Sequence, residues 1–127
     1  MGRDDFMRRA LSTSAVFNLL GALAFLFPGV VGQLAGFPSP VPRFYSVFLA
    51  FLVALFGVTY AWLARQPHID RPLVAFSALG KTGFFVVVLL CWRLGDVPAR
   101  ALAGASGDLI FAGIFAWWMI GSPGDSR

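Results

Sequence analysis

The stretch that decides the fold runs from Pro72 to Trp92 and reads PLVAFSALGKTGFFVVVLLCW. A helix that crosses the hydrocarbon core of a bilayer, about 30 Å thick, needs about 20 mostly apolar residues. This run meets that requirement, and its single charged residue is Lys81, near the middle. The stretch therefore predicts a transmembrane helix that carries a charge close to the centre of the membrane.

Three more apolar runs accompany this one, so the sequence predicts four transmembrane helices. The predicted spans cover residues 9–27, 44–63, 72–92 and 98–120. Pro72 and Pro98 open their helices, where the missing backbone N–H costs nothing. The last span is expected to stop at the sequence GSPG, residues 121–124. The predicted fold is an all-α membrane protein, a single domain of residues 1–127 that forms a four-transmembrane-helix bundle with short loops.

The connection between the first two spans is longer than the others. It contains GVVGQLAGF, residues 29–37, which is apolar but too short to cross a bilayer. The proline-rich sequence PSPVP, residues 38–42, follows it. We expect a short interfacial or re-entrant turn of helix here, whose backbone groups need partners in the protein or in interfacial water.

The composition agrees with a bilayer environment. Hydrophobic residues make up 58% of the chain and charged residues 13%, against roughly 25% charged in ordinary globular domains. The net charge of +4 comes from basic residues that lie singly or in pairs between apolar runs. Because they do not form a stripe along one face, nucleic-acid binding is not favoured. The lipid bilayer is the first predicted partner.

The basic residues outside the spans or at their ends predict the orientation. The N-terminus, the middle loop and the C-terminus hold six arginines: Arg3, Arg8, Arg9, Arg65, Arg71 and Arg127. The two opposite loops hold three: Arg43, Arg93 and Arg100. Cytoplasmic loops of multi-pass proteins carry the excess of basic residues. Both termini are therefore predicted to lie on the cytoplasmic side.

Three polar side chains fall near the centres of their spans: Asn18, Lys81 and Asp108. A charge at the bilayer centre costs roughly 2.5–3.5 kcal/mol on insertion scales. We therefore expect Lys81 and Asp108 to pair across the interface of the third and fourth helices, with Asn18 adding a hydrogen bond. Three alternatives stay open: the pair is a structural staple, it is a functional group that relays protons or ions or forms the polar floor of a ligand pocket, or it does not form.

Helical spacing extends this network. Ser77 lies four residues before Lys81 and Gly104 four before Asp108, so each pair shares a helix face. Tyr60, toward the end of the second helix, can hydrogen-bond within the bundle. The predicted ligand site or buried polar network consists of Lys81, Asp108, Asn18, Ser77 and Tyr60.

The rest of the third helix is expected to face outward. Its apolar face, with Phe84 and Val88, is predicted to meet lipid or another subunit.

No catalytic or metal-binding motif is present, and no cofactor is predicted. Cys91 is the single cysteine, which excludes dithiol–disulfide exchange within the chain. His68 is the single histidine and lies in the loop between the second and third spans, so paired intramembrane histidines cannot ligate haem. An enzymatic function is therefore not favoured.

Four short segments are shared with a known family: GVTYA at 57–61, RQP at 65–67, LGK at 79–81 and GDL at 107–109. In these segments the chain resembles the small bacterial DoxX-like four-helix membrane proteins. The resemblance implies a four-helix bundle in the bacterial cytoplasmic (inner) membrane. The wider family includes a subunit associated with quinone-linked sulfur oxidation and many members without assigned activity. It implies no catalytic residue in this chain.

Two functions of different class fit the sequence. The first is an accessory or scaffold component of a membrane complex, whose apolar faces dock a membrane-protein partner or a second copy of the chain. The second is a small transporter or a protein that binds a lipophilic, quinone-like ligand above the Lys81–Asp108 pair. Small multidrug transporters use an intramembrane glutamate, and this chain has no glutamate. The sequence favours the scaffold, because no second functional cluster accompanies the pair.

Overall fold

The computed structural model describes residues 2–121, and every regular element in that range is a helix. The four long helices are α1 (Arg3–Leu26), α2 (Arg43–Leu63), α3 (Arg71–Arg93) and α4 (Ala99–Gly121). All four are long and apolar enough to cross a membrane. The predicted all-α, four-helix fold is therefore confirmed, and it is the architecture of a multi-pass membrane protein.

The helix boundaries follow the predicted spans closely, except at the start of α1. This helix begins at Arg3, whereas the predicted span begins at Arg9. Asp4 and Asp5 lie in its first turn, where the helix dipole favours negative charge, so the helix continues past the apolar run. The predicted stop at residues 121–124 extends beyond the described residues, and Arg127 lies outside them.

The connection between α1 and α2 is a folded turn. A π-helical turn, Pro28–Gly32, continues into a short α-helical turn, Gln33–Ala35. Gly32 lies so close to α1 that a Cβ atom there would be 2.6 Å from the carbonyl oxygen of Ala24. Gly36 has a φ of +92° and a Cβ there would meet Arg100 and Ala101 of α4, a conformation that favours glycine. Residues 28–37, hereafter the turn segment, are thus packed between α1 and the start of α4.

The bundle consists of two helical hairpins. α1 packs along α2 and α3 packs along α4, and the interfaces between the two hairpins are much smaller. α1 and α2 approach each other closely at Gly57, where a Cβ would lie 3.2 Å from that of Asn18 and 3.3 Å from the carbonyl oxygen of Ala15. Small residues at such crossings let helices come together in lipid, where packing replaces the hydrophobic driving force.

One end of the bundle, hereafter the closed end, is filled by side chains. It is the end at which α1 and α3 begin and α2 and α4 finish. The buried residues of its core are Met7, Leu11, Ala15, Tyr60, Leu63, Ile69, Val74, Phe115 and Trp118. These come from all four helices and the loop between α2 and α3, so the closed end holds the two hairpins together.

The opposite end is less densely filled. A smaller core of Val88, Ala101 and Ala105 joins α3 to α4 there, with Phe84 packed against it. The prediction that the Phe84–Val88 face meets lipid is therefore wrong, since Val88 is 5% exposed. Positions three and seven residues after Lys81 lie on the same face of the helix as Lys81 itself. That face turns toward α4.

Arginine side chains cap helix C-termini at the closed end. The guanidinium of Arg8 donates to the carbonyl oxygens of Ala64, Gln66 and Pro67, at 3.0, 2.5 and 3.1 Å. These lie at and just after the end of α2, where the last carbonyls lack partners within the helix. Arg71 donates to the carbonyl oxygen of Met119 in the last turn of α4 at 2.7 Å. Residues that the sequence marks as topology signals therefore also stabilise the fold.

We expect the substitution Arg8→Gln to lower the free energy of unfolding by about 1.5–3 kcal/mol, because it removes hydrogen bonds from a charged donor to three carbonyls. The neighbouring change Arg9→Gln is the matched control, since Arg9 is exposed. Thermal melting of the purified proteins in one detergent measures both. Equal melting temperatures for the two variants would contradict the capping role of Arg8.

Candidate functional site

A polar network of Lys81, Asp108 and Asn18 lies at the centre of the bundle. The ammonium of Lys81 donates to Oδ1 of Asp108 at 2.8 Å and to Oδ1 of Asn18 at 3.0 Å. The amide nitrogen of Asn18 donates to the carbonyl oxygen of Val53 at 3.1 Å. The network thus connects α3 to α4, to α1 and through α1 to α2.

The charges of this network are almost fully removed from the surface. Lys81 is 3% exposed, Asn18 8% and Asp108 9%. The expected pairing of Lys81 with Asp108 is present, and Asn18 completes it as an acceptor. In a bilayer each charge alone would be costly, so mutual contact is the physical reason that both helices turn these side chains inward.

Aromatic rings surround the ammonium of Lys81. The nitrogen lies 5.4 Å from the ring centroid of Phe17, 4.9 Å from that of Tyr60 and 5.3 Å from that of Phe111. A cation near aromatic faces is stabilised by the ring quadrupole, the more so when water is excluded. The sequence analysis missed Phe17 and Phe111. Phe111 lies three residues after Asp108, and this spacing places it on the same helix face.

Of the other two predicted network residues, Tyr60 contacts Lys81, and Ser77 is buried one helical turn before Lys81 in α3. Tyr60 is 2% exposed and its ring lies beside Lys81. The hydroxyl of Ser77 donates to the carbonyl oxygen of Leu73 at 2.7 Å, within its own helix. Such a bond back to the preceding turn satisfies the hydroxyl locally.

A cavity of about 530 Å³ lies directly next to the network. All four helices and the turn segment contribute to its wall. Most of the wall is apolar, with Phe25, Phe56 and Phe84 among its rings. Its polar residues are Asn18, Tyr60, Lys81 and Asp108 at one end and Arg100 at the other. The network is thus the floor of an apolar chamber between the two hairpins.

The floor retains hydrogen-bonding capacity. A lysine ammonium has three N–H donors, and two are used by Asp108 and Asn18. Lys81 donates to Oδ1 of Asp108, and among residues 2–121 no hydrogen bond to the second carboxylate oxygen is found. A polar group that entered the cavity could accept from Lys81 or donate to Asp108.

The described part of the chain offers no cluster of histidine, cysteine, aspartate or glutamate side chains that could hold a metal ion. The chemistry of the site is therefore that of one ammonium, one carboxylate, one amide and several rings.

Comparisons of the chain with models of protein families, with curated proteins and with solved structures give no match.

Breaking the central ion pair should destabilise the bundle. Lys81→Met and Asp108→Asn each leave one partner without its counter-charge, so each should cost on the order of 2–3 kcal/mol. The double variant removes both charges and should recover most of that loss. Melting temperatures of the wild type and the three variants in one detergent give the double-mutant cycle.

The opposite result would be variants that melt at or above the wild-type temperature, with no coupling energy between the two substitutions. That result would show that the pair does not stabilise the fold.

Proposed function

We propose that this chain binds a lipophilic small molecule within the membrane, between its two hairpins. The apolar body of the ligand fills the cavity, and its hydrogen-bonding group meets Lys81, Asn18 and Asp108. The observation that carries this proposal is the cavity of about 530 Å³ that ends on a buried, incompletely satisfied polar network. Small-molecule sites are typically concave, apolar and about 300–1,000 Å³ in volume, with a few convergent polar groups.

The chemistry of the floor favours a ligand with a carbonyl or hydroxyl group, such as a quinone-like ring. A carbonyl oxygen can accept the remaining N–H of Lys81, and a hydroxyl can donate to the second oxygen of Asp108. Because a donor and an acceptor lie next to each other, the site can bind such a ring in its carbonyl form or in its hydroxyl form. The rings of Phe17 and Tyr60, which lie beside the ammonium, also line the cavity and offer flat apolar contacts.

The DoxX-like resemblance supports the same proposal from the sequence side. Two of the four resembling segments, 79–81 and 107–109, contain Lys81 and Asp108 themselves. On this basis we propose that the chain is of the DoxX-like type and lies in the bacterial cytoplasmic membrane. The proposal gives the ion pair a role in binding and assigns no catalytic step to it.

An accessory or scaffold role in a membrane complex is the second candidate. It is favoured by a row of exposed aromatic side chains at the start of α2, where Phe44, Tyr45 and Phe48 are 72%, 60% and 50% exposed. The rings of Phe44 and Phe48 stack on each other, with centroids 6.0 Å apart. A helix of a partner protein or of a second copy would find a preformed apolar ridge there.

A cavity-filling substitution tests ligand binding. Gly104 lines the cavity, and a Cβ added there would meet nothing within 4 Å. We expect Gly104→Leu to fold normally and to weaken binding of a short-chain quinone probe by about tenfold or more, which corresponds to about 1.4 kcal/mol. The probe is titrated into purified protein in lipid nanodiscs, and the quenching of tryptophan fluorescence is followed.

The matched control is Gly113→Leu, on the opposite side of the same helix. A Cβ there also meets nothing within 4 Å, and the position does not line the cavity. Its affinity for the probe should stay at the wild-type value. Wild-type affinity in Gly104→Leu would count against the cavity as the binding site and would favour the scaffold role.

The proposed orientation places both termini in the cytoplasm and the cavity in the outer half of the membrane. The described arginines of the closed end are Arg3, Arg8, Arg9, Arg65 and Arg71, and those of the cavity end are Arg43, Arg93 and Arg100. An excess of arginine at the closed end supports a cytoplasmic position for that end. A transported solute would then meet the cavity first from the outer side.

Cysteine labelling in intact cells tests this orientation. In a Cys91→Ala background, His68→Cys lies at the closed end and Asp96→Cys at the cavity end, and both positions are exposed. A membrane-impermeant maleimide should label the cysteine at 96 directly and the one at 68 only after the membrane is permeabilised. The reverse pattern would overturn the orientation and leave the binding proposal unaffected.

A further inference from the structure

Arg100 stands at the opposite end of the cavity from the Lys81–Asp108 pair. We propose that it binds an anionic head group, and that the occupant of the cavity is an amphiphile with a carboxylate or phosphate at one end. This inference rests on the proposed function, because it names the class of ligand that the same cavity takes. The apolar body of the ligand then fills the cavity between Arg100 and the floor.

The two polar ends of the cavity lie on one helix. Arg100 and Asp108 both belong to α4 and both line the cavity. Eight residues of α-helix rise about 12 Å. The walls between these levels are apolar, with Gly21, Ala24, Phe84 and Ala105 among them. A ligand of this length can therefore reach a cation at one end and a hydrogen-bonding floor at the other.

The guanidinium of Arg100 has binding capacity that the protein does not use. It carries five N–H donors, and one of them is occupied by the carbonyl oxygen of Gln33 at 2.9 Å. Within residues 2–121 no carboxylate forms an ion pair with Arg100, since Lys81–Asp108 is the salt bridge found there. The planar donor fork of arginine matches the oxygens of carboxylate and phosphate groups.

The turn segment holds Arg100 in place over the cavity. Gly36 lies against its side chain, so closely that a Cβ would be 2.9 Å from Cγ of Arg100. Val31, Ala35 and Phe37 of the same segment line the cavity. The side chain of Arg100, which is exposed, therefore lies against the turn segment, and its guanidinium donates to Gln33 in the same segment. The other basic residues of this end, Arg43 and Arg93, do not line the cavity.

Photolabelling with two probes of equal chain length tests the inference. The probes are a diazirine-bearing decanoic acid and the corresponding decanol, used at pH 8 on protein in phosphatidylcholine nanodiscs. The labelled fraction is read from the intact mass, and peptide mapping places the label. We expect the acid to label cavity residues of the wild type about tenfold more strongly than the alcohol does.

The variants separate charge recognition from folding. Arg100→Gln should reduce labelling by the acid to the level of the alcohol and leave labelling by the alcohol unchanged. Arg100→Lys keeps the charge and should retain most of the preference for the acid. Arg93→Gln removes a charge from the same end outside the cavity, and it should behave like the wild type.

The source of the anionic group is distinguished by adding phosphatidylglycerol to the nanodiscs. Loss of acid labelling would identify a membrane phospholipid as the competing occupant, and unchanged labelling would identify a free single-chain acid. Both results agree with an anionic head group on Arg100.

Equal labelling of wild type and Arg100→Gln by the acid would overturn the inference, as would an equal loss in Arg93→Gln. If the alcohol still labels the cavity when either of these results is obtained, the cavity binds a lipophilic molecule and the proposed function stands. The ligand then needs no anionic head group. Absence of cavity labelling by both probes in the wild type would overturn the inference, and the quinone titration would then decide the proposed function separately.

Discussion

The contact between the ammonium of Lys81 and the carboxylate of Asp108 is the interaction on which the rest of the structure depends. Each charge alone would be costly near the middle of a bilayer, so α3 and α4 must turn the two residues toward each other. Asn18 then brings α1 into the same network, and its amide reaches the backbone of α2. One neutralised pair thereby determines which face of each helix points inward.

The two ends of the bundle differ in how densely side chains fill the space between the helices. The closed end is filled by large side chains and has a buried tryptophan, Trp118, whose indole nitrogen donates to Asp4 at 2.8 Å. The cavity end leaves about 530 Å³ between the hairpins. In lipid, apolar packing between helices is not favoured by a hydrophobic driving force. An apolar cavity that a lipophilic molecule can fill is therefore compatible with a stable bundle.

The arginines show how one residue type serves several purposes in a small membrane protein. At the closed end, Arg8 and Arg71 donate to carbonyls at the C-termini of α2 and α4, which would otherwise lack partners. At the cavity end, Arg100 donates to the carbonyl oxygen of Gln33 in the turn segment and lines the cavity. Their charges also form the asymmetry that predicts orientation. None of these contacts follows from counting arginines in loops.

The sequence by itself determined the four helices, because the length and hydropathy of each run can be compared directly with the thickness of a bilayer. It also determined the central pair, because the cost of an isolated charge in the membrane leaves Lys81 and Asp108 few alternatives. The tertiary structure alone decided that α1 pairs with α2 and α3 with α4, that Phe17 and Phe111 flank the ammonium, and that Val88 is buried. The reason is that both the inside and the lipid-facing side of a membrane bundle are apolar, so hydropathy does not mark the inner face. The cavity and the position of Arg100 depend on how the helices cross and how the turn segment folds back, which are contacts between residues far apart in the chain.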